Sequence, residues 1–241
     1  MRVLLTGAAG FVGRPALDLL RERHEVTAFD IRPVEGCDDA IAGDVLDYGA
    51  VEAAMAGQDA VVNTIMAPNP SYGGQGPGFT INVSGAYNLF EAARAQGIRR
   101  FVHTSSYSVH GGYVASGTVL THSLYPLKAS GPYGLSKLLQ EELARSFAEQ
   151  HGLSIALVRP GDIIDADRMV TTDGKPVTGY SWRTIDRRDV ASALVCALEA
   201  EDIEFERFYV TATSGGYRAT DVARTEERLG WKPARTFDAA L

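Results

Sequence analysis

The chain is poor in lysine, cysteine and long apolar runs, and each shortage removes a class of function. Only four of its 23 basic residues are lysines. Acidic residues outnumber basic ones, 30 to 23, giving a formal net charge of -7 at pH 7. That balance gives a nucleic-acid partner no electrostatic support. The two cysteines, Cys37 and Cys196, have no metal-ligand spacing, and the five histidines show no metal cluster. Cys196 falls in the apolar run "ASALVCALEA" and reads as packing. No apolar stretch approaches the ~20 residues that cross a bilayer. The opening "MRVLLTGAAG" reads as strand and turn rather than as a signal segment, so the expected location is cytoplasmic, with no membrane partner. At 241 residues, 45% hydrophobic and 22% charged, the chain is long enough to close one large core.

Apolar strand patterns alternate with helical ones. "RVLLTG", "HEVTAFD", "AIAGDV", "DAVVNTI", "RRFVHTSS", "LSIALVRP" and "RFYVTAT" read as strands. Between them lie helical patterns, the longest in "YGLSKLLQEELARSFAEQHG". Strands that are apolar throughout belong in a parallel sheet covered on both faces. Right-handed crossovers then give an α/β, doubly wound parallel sheet of the Rossmann type. One domain is expected over 1–241. Residues 1–160 form mainly the dinucleotide-binding core, and 161–189 with 212–241 form a small substrate-side region. Three stretches, 67–79, 109–132 and 161–189, break the rhythm and read as irregular. Each follows a strand at its carboxyl end, the edge where such sheets bind ligands.

"TGAAGFVG" places Gly7, Gly10 and Gly13 between the first strand and first helix. Glycines there let the backbone turn tightly and approach a pyrophosphate, and the helix amino terminus offers partial positive charge. Asp30 ends the second strand, near the ~20-residue offset expected of a ribose-binding carboxylate. Its charge favours NAD over NADP. Arg32 is either a solvated loop cation or a host for the extra phosphate. Asp44 and Val45 follow the third strand, where they fit an adenine edge, while Asp44 or Asp47 equally fits a helix cap.

In "YGLSK", Tyr133 and Lys137 stand one helical turn apart. The ammonium is expected to lower the phenol's pKa, so that Tyr133 exchanges a proton with a substrate hydroxyl while a hydride moves to nicotinamide. Ser106, with Ser105 as second choice, ends the fifth strand and is expected to hold the substrate oxygen.

These residues resemble the extended branch of the short-chain dehydrogenase/reductase superfamily, which contains sugar epimerases, dehydratases and dehydrogenases. The resemblance runs through "TGAAGFVG", "AFDIR", "GDVLD", "NVSGAYNLFEAAR", "FVHTSSYSVHG", "YGLSK", "ALVRPG", "RRDVASAL" and "RLGWKP". It implies that Gly7, Gly10, Phe11, Val12 and Gly13 meet the pyrophosphate, Asp30 and Arg32 the ribose end, and Asp44 with Val45 the adenine. It implies Ser106, Tyr133 and Lys137 as the catalytic set and Asn82 as a neighbour of the cofactor. It also implies a homodimer through the helices containing Asn82–Ala95 and Tyr133–His151. There Leu135, Leu138, Leu139, Leu143 and Phe147 fit either the partner or the sheet.

Two departures stand out. "NTIM" follows the fourth strand where many relatives read "HLAA", and His110 replaces the usual tyrosine. Both are expected on the substrate side. The compact length and "LGWKP" ending look most like uronate dehydrogenases. For a small acidic substrate, Arg168, Arg183 and Arg187 are the candidate cations, with Ser105, Ser106 and His110 as further contacts. Arg188 is expected to pair with Asp189 or to support the last crossover helix. The leading reading is an NAD-dependent oxidoreductase acting on a small sugar, sugar acid or polyol. An epimerase or dehydratase without net redox change, and a non-catalytic NAD sensor, are the alternatives.

Overall fold

The first strand, β1 (Arg2–Thr6), shows how side-chain alternation builds two cores. Val3 and Leu5 enter one apolar cluster and Leu4 the other, all fully buried. The structure, a computed structural model, describes residues 1–67 and 76–237. Along the chain come α1 (Gly13–Arg21), β2 (Glu25–Asp30), β3 (Ile41–Ala42), α2 (Tyr48–Met55), β4 (Ala60–Asn63), α3 (Gly78–Ala95) and β5 (Arg100–Thr104). A kinked run of tight helical turns covers Tyr107–Ser116. Then follow α4 (Gly131–His151), β6 (Ser154–Pro160), β7 (Asp162–Asp165), β8 (Val170–Thr171), β9 (Thr184–Asp186), α5 (Arg187–Glu199), β10 (Phe205–Val210), α6 (Ser214–Ala219) and α7 (Val222–Leu229).

Seven strands form a parallel sheet in the order β10-β6-β5-β4-β1-β2-β3. α1 and α5 cover one face; α2, α3 and α4 cover the other. The strand order reverses between β1 and β4, which opens a crevice at their carboxyl ends. The Rossmann-type architecture read from the alternating pattern is the observed one.

The irregular stretches are more structured than the sequence suggests. Within 161–189, β8, β7 and β9 make a three-stranded sheet of their own. The tail forms α6 and α7, and Trp231 then docks on α5 by donating its indole N–H to the Asp189 carbonyl at 3.0 Å. Most of the expected 67–79 loop lies outside the described residues, and Gly78 and Phe79 already belong to α3. A small apolar cluster of Tyr107, Leu120 and Tyr209, flanked by Trp182, sits at the carboxyl edge of the sheet.

Candidate active site

At the end of β1 the backbone turns on Gly7, whose φ of +77° lies in the left-handed region. A Cβ at Gly13 would stand 1.9 Å from the Gly7 carbonyl oxygen, so only glycine allows this packing. The first α-helical bond runs from the Arg14 amide to the Gly10 carbonyl at 3.1 Å. The amides of Phe11, Val12 and Gly13 therefore lack intrahelical acceptors and point their partial charge out of the turn. The Val12 side chain is buried in the core, and the Phe11 ring lies 5.3 Å from the Arg187 guanidinium. Only the backbone of these two residues is left to face an anion.

Asp30 stands beside this turn. One carboxylate oxygen accepts from the Ala9 amide at 3.0 Å and the other from the Arg32 amide at 2.9 Å. Arg32 Nε also reaches Asp30, at 3.4 Å, with its side chain largely in solvent. Asp47 caps α2 by accepting from Ala50, whereas Asp44 accepts only from Leu46 in a local turn. That separates the two aspartates: capping belongs to Asp47, and Asp44 stays exposed beside buried Val45. A glycine cradle, unpaired first-turn amides and a carboxylate at the end of β2 together fit a dinucleotide.

Across the crevice, Tyr133 occupies the first turn of α4 and is hydrogen-bonded to the Ser106 side chain. Burial pushes the phenol's pKa above its ordinary value, and the bond to Ser106 pulls the other way. Ser106 also accepts from the Ser108 amide at 3.1 Å, which fixes its rotamer at the end of β5. Lys137 is 1% exposed and donates from Nζ to the Thr104 carbonyl at 2.8 Å. Burial lowers its pKa to about 7, with Glu141 opposing. The contact that lowers the Tyr133 pKa in this structure is Ser106, while Lys137 is desolvated and held by the Thr104 carbonyl.

Several other expected site residues point elsewhere. Ser105 donates to Glu141 at 2.5 Å in the core, away from any substrate. His110 is fully buried; it donates from Nε2 to the Leu124 carbonyl at 3.0 Å and accepts from the Tyr209 hydroxyl. Its lowered pKa, about 4, is first an effect of burial. Arg183 pairs with Asp162 at 3.1 Å and Arg187 with Asp165 at 2.9 Å. Arg168 is exposed beyond β7. Arg188 pairs with Asp186 and Asp167, not with Asp189, whose carboxylate accepts from the Ala234 and Arg235 amides.

Asn82 and Asn63 belong to one buried polar chain that ties the two halves of the crevice together. Asn63 accepts from Thr6 at 2.7 Å and donates to His103 at 2.9 Å. His103 donates to Gln140 at 3.2 Å, and Gln140 to the Asn82 carbonyl at 2.7 Å. Asn82 then donates to Ser136, whose hydroxyl donates to the Tyr133 carbonyl at 2.8 Å. The "NTIM" departure thus begins inside the sheet rather than on the substrate side, while His110 is held in the interior between the Tyr209 hydroxyl and the Leu124 carbonyl.

Sequence reading passes over Glu141 and Arg159, both 0% exposed and paired at 2.6 Å. Burial alone would push Glu141 up; the Arg159 guanidinium holds its carboxyl below the usual range. The available signal was spacing, because Glu141 sits one helical turn beyond Lys137.

Comparison with known proteins agrees with this geometry. The model of the NAD dependent epimerase/dehydratase family matches residues 3–171. L-arabinose 1-dehydrogenase (NAD(P)(+)) of Haloferax volcanii is 34% identical over 178 residues, 70% of this chain and 69% of that protein. Uronate dehydrogenase of Agrobacterium fabrum is 35% identical over 170 residues, 66% of this chain and 60% of that protein. The chain's match thus spans less than two thirds of that relative. Among solved structures, uronate dehydrogenase from Agrobacterium tumefaciens superposes with a TM-score of 0.76 at 28% identity, covering 98% of this chain and 85% of that one. A mutant of it complexed with NAD gives 0.77 at the same identity and coverage. The chain belongs to the NAD dependent epimerase/dehydratase family.

Proposed function

We propose that the protein is an NAD-dependent dehydrogenase that oxidises a hydroxyl-bearing carbon of a small sugar, sugar acid or polyol. The observation that carries this reading is the Ser106–Tyr133 hydrogen bond beside Lys137. Bound NAD supplies the hydride acceptor. Gly7, Gly10 and Gly13 leave room for its pyrophosphate, the amides of Phe11 and Val12 face the phosphates, and Asp30 takes the adenosine ribose. Asp44 and Val45 border the adenine. Ser106 holds the substrate hydroxyl against Tyr133, and Tyr133 accepts its proton. Lys137, anchored on Thr104, orients the nicotinamide ribose. The Asp30 carboxylate disfavours the extra phosphate of NADP, and Arg32 beside it keeps NADP as the second choice.

A screen of NADH formation across aldoses, uronic acids and polyols, with NADP in parallel, tests the reading. Net reduction of NAD with at least one of these classes is expected. Interconversion of sugars without NADH release would move the protein to the epimerases.

The same geometry sets a pH dependence. Burial holds the Tyr133 phenol above its ordinary value, so its basic form grows only as pH rises. Oxidation should therefore climb toward alkaline pH. Ser106→Ala removes the contact that lowers the phenol's pKa, so the alkaline limb should move to higher pH, together with a loss of rate of about 10–100-fold. Profiles of kcat/KM against pH for the two proteins check this; a limb that stays in place removes Ser106 from the relay.

A homodimer through α3 and α4 is part of the proposal. Tyr87 on α3 and Leu135 on α4 are 49% and 46% exposed, and Tyr87 stacks edge-on against Phe147 at 6.1 Å. Phe147 itself belongs to the core, so Leu135 rather than the whole leucine stripe faces outward. Sedimentation should show two chains per particle, and Tyr87→Glu should release monomers. Two free thiols and the absence, among the described residues, of a helix long and apolar enough to cross a membrane are compatible with the cytoplasm.

A further inference from the structure

The cations nominated for an acidic substrate are largely consumed by protein carboxylates: Arg183 by Asp162, Arg187 by Asp165. Arg218 is different. It lies on α6, at the carboxyl end of β10, and among the described residues no carboxylate pairs with it. It borders a cavity of about 350 Å³ between the Tyr107–Leu120 segment and α6. That volume is near the lower end of the roughly 300–1,000 Å³ typical of ligand pockets, which suits a single sugar ring.

The cavity walls have the chemistry of a sugar site. Tyr107 follows Ser106 directly in sequence, so the cavity opens on the same carboxyl edge of the sheet that carries Ser106. Trp182 meets the Tyr107 ring edge-on at 5.1 Å and gives the cavity a second aromatic wall. Such walls cover the apolar faces of a pyranose. The Tyr107 hydroxyl is buried, with the Arg183 guanidinium beside its ring. Burial pushes its pKa up to about 12, with nearby Arg183 lowering it, so it remains a neutral donor.

Charge completes the picture. Neither this cavity nor the smaller cleft that shares Tyr107 and Trp182 is lined by an acidic residue. The cleft's two arginines, Arg159 and Arg183, already hold Glu141 and Asp162. We propose that Arg218 is the anion-recognising residue of the substrate cavity, binding a carboxylate or phosphate on a sugar whose ring rests against the wall that Tyr107 and Trp182 form together.

This inference rests on the dehydrogenase reading, and the test separates the two. NADH formation is measured with a uronic acid, a sugar phosphate and the matching neutral aldose, for the native enzyme, Arg218→Ala and Arg218→Lys. The native enzyme should prefer one of the anionic sugars in kcat/KM. Arg218→Ala should cut that preference by about 10–100-fold, the scale of a lost charge-assisted hydrogen bond, through KM rather than kcat. Arg218→Lys should restore part of it. The arm that responds identifies the anion as carboxylate or phosphate. A preference that survives in Arg218→Ala, or a native enzyme that favours the neutral sugar, overturns the assignment. If no sugar is oxidised, the dehydrogenase reading fails. Calorimetric titration of the same two anionic sugars into the NAD-loaded protein then decides on Arg218: binding lost in Arg218→Ala supports it, whereas absent or unaltered binding overturns it.

Discussion

Replacing Tyr133 with phenylalanine is expected to lower turnover by about 10²–10⁴-fold while leaving NAD affinity close to that of the native enzyme. The estimate is the usual contribution of one positioned proton acceptor. Phenylalanine keeps the ring that α4 packs but removes the hydroxyl that Ser106 engages. NAD affinity should survive because the glycine turn and Asp30 lie across the crevice on β1 and β2. The separation of the two effects is the informative part. Turnover near the native value would remove Tyr133 as the base; joint loss of NAD binding and turnover would point to a collapsed site instead.

The second large effect concerns stability. Arg159→Met should destabilise the fold by about 3–5 kcal/mol, because it leaves the Glu141 carboxylate buried without its bidentate partner. Arg207, 3.5 Å from the same carboxylate, offsets part of the loss and favours the lower figure. For a chain of this size, that corresponds to a fall in Tm of roughly 10 °C. The double change Arg159→Met with Glu141→Leu should recover most of it, since two apolar groups of similar volume need no counter-charge. Thermal unfolding of the three proteins checks this. A double variant as unstable as the single one would show that the pair is needed for more than its own neutralisation.

The pair has a functional side as well. Glu141 accepts from Ser105, the neighbour of Ser106, and sits one turn beyond Lys137. Arg159 donates to the Tyr209 hydroxyl at 3.2 Å, and Tyr209 in turn meets His110 in the segment after Ser106. A single buried charge pair thus braces the strand end that carries Ser106 and the segment that carries Tyr107.

What the sequence revealed depended on whether the signal was local. The glycine turn was legible because a left-handed residue and a close helix–strand approach both demand glycine at fixed spacing. Tyr133 and Lys137 were legible because one helical turn brings them together. The apolar strands declared a sheet covered on both faces, and that is how Val3, Leu4 and Leu5 divide between the two cores. Side-chain direction at strand ends was not legible. Ser105 and Ser106 are neighbours, yet one serves Glu141 and the other Tyr133, a choice fixed by alternation that sequence alone leaves open.

Long-range charge pairing was equally hidden. Arg183 and Arg187 looked available because their carboxylate partners, Asp162 and Asp165, lie about 20 residues away across a small sheet that was read as irregular. The electrostatic state of Lys137 was hidden for a related reason. Burial depends on everything packed around α4, and it leaves the lysine with a pKa of about 7.

The most direct test of the proton-and-hydride account follows one atom. A sugar substrate carrying deuterium on the carbon that bears the reacting hydroxyl is mixed with the protein and NAD. The account predicts that deuterium appears in the nicotinamide ring of released NADH, one per substrate oxidised, and that Tyr133→Phe suppresses this transfer. Deuterium that stays with the sugar while its configuration changes, with no labelled NADH released, would contradict it.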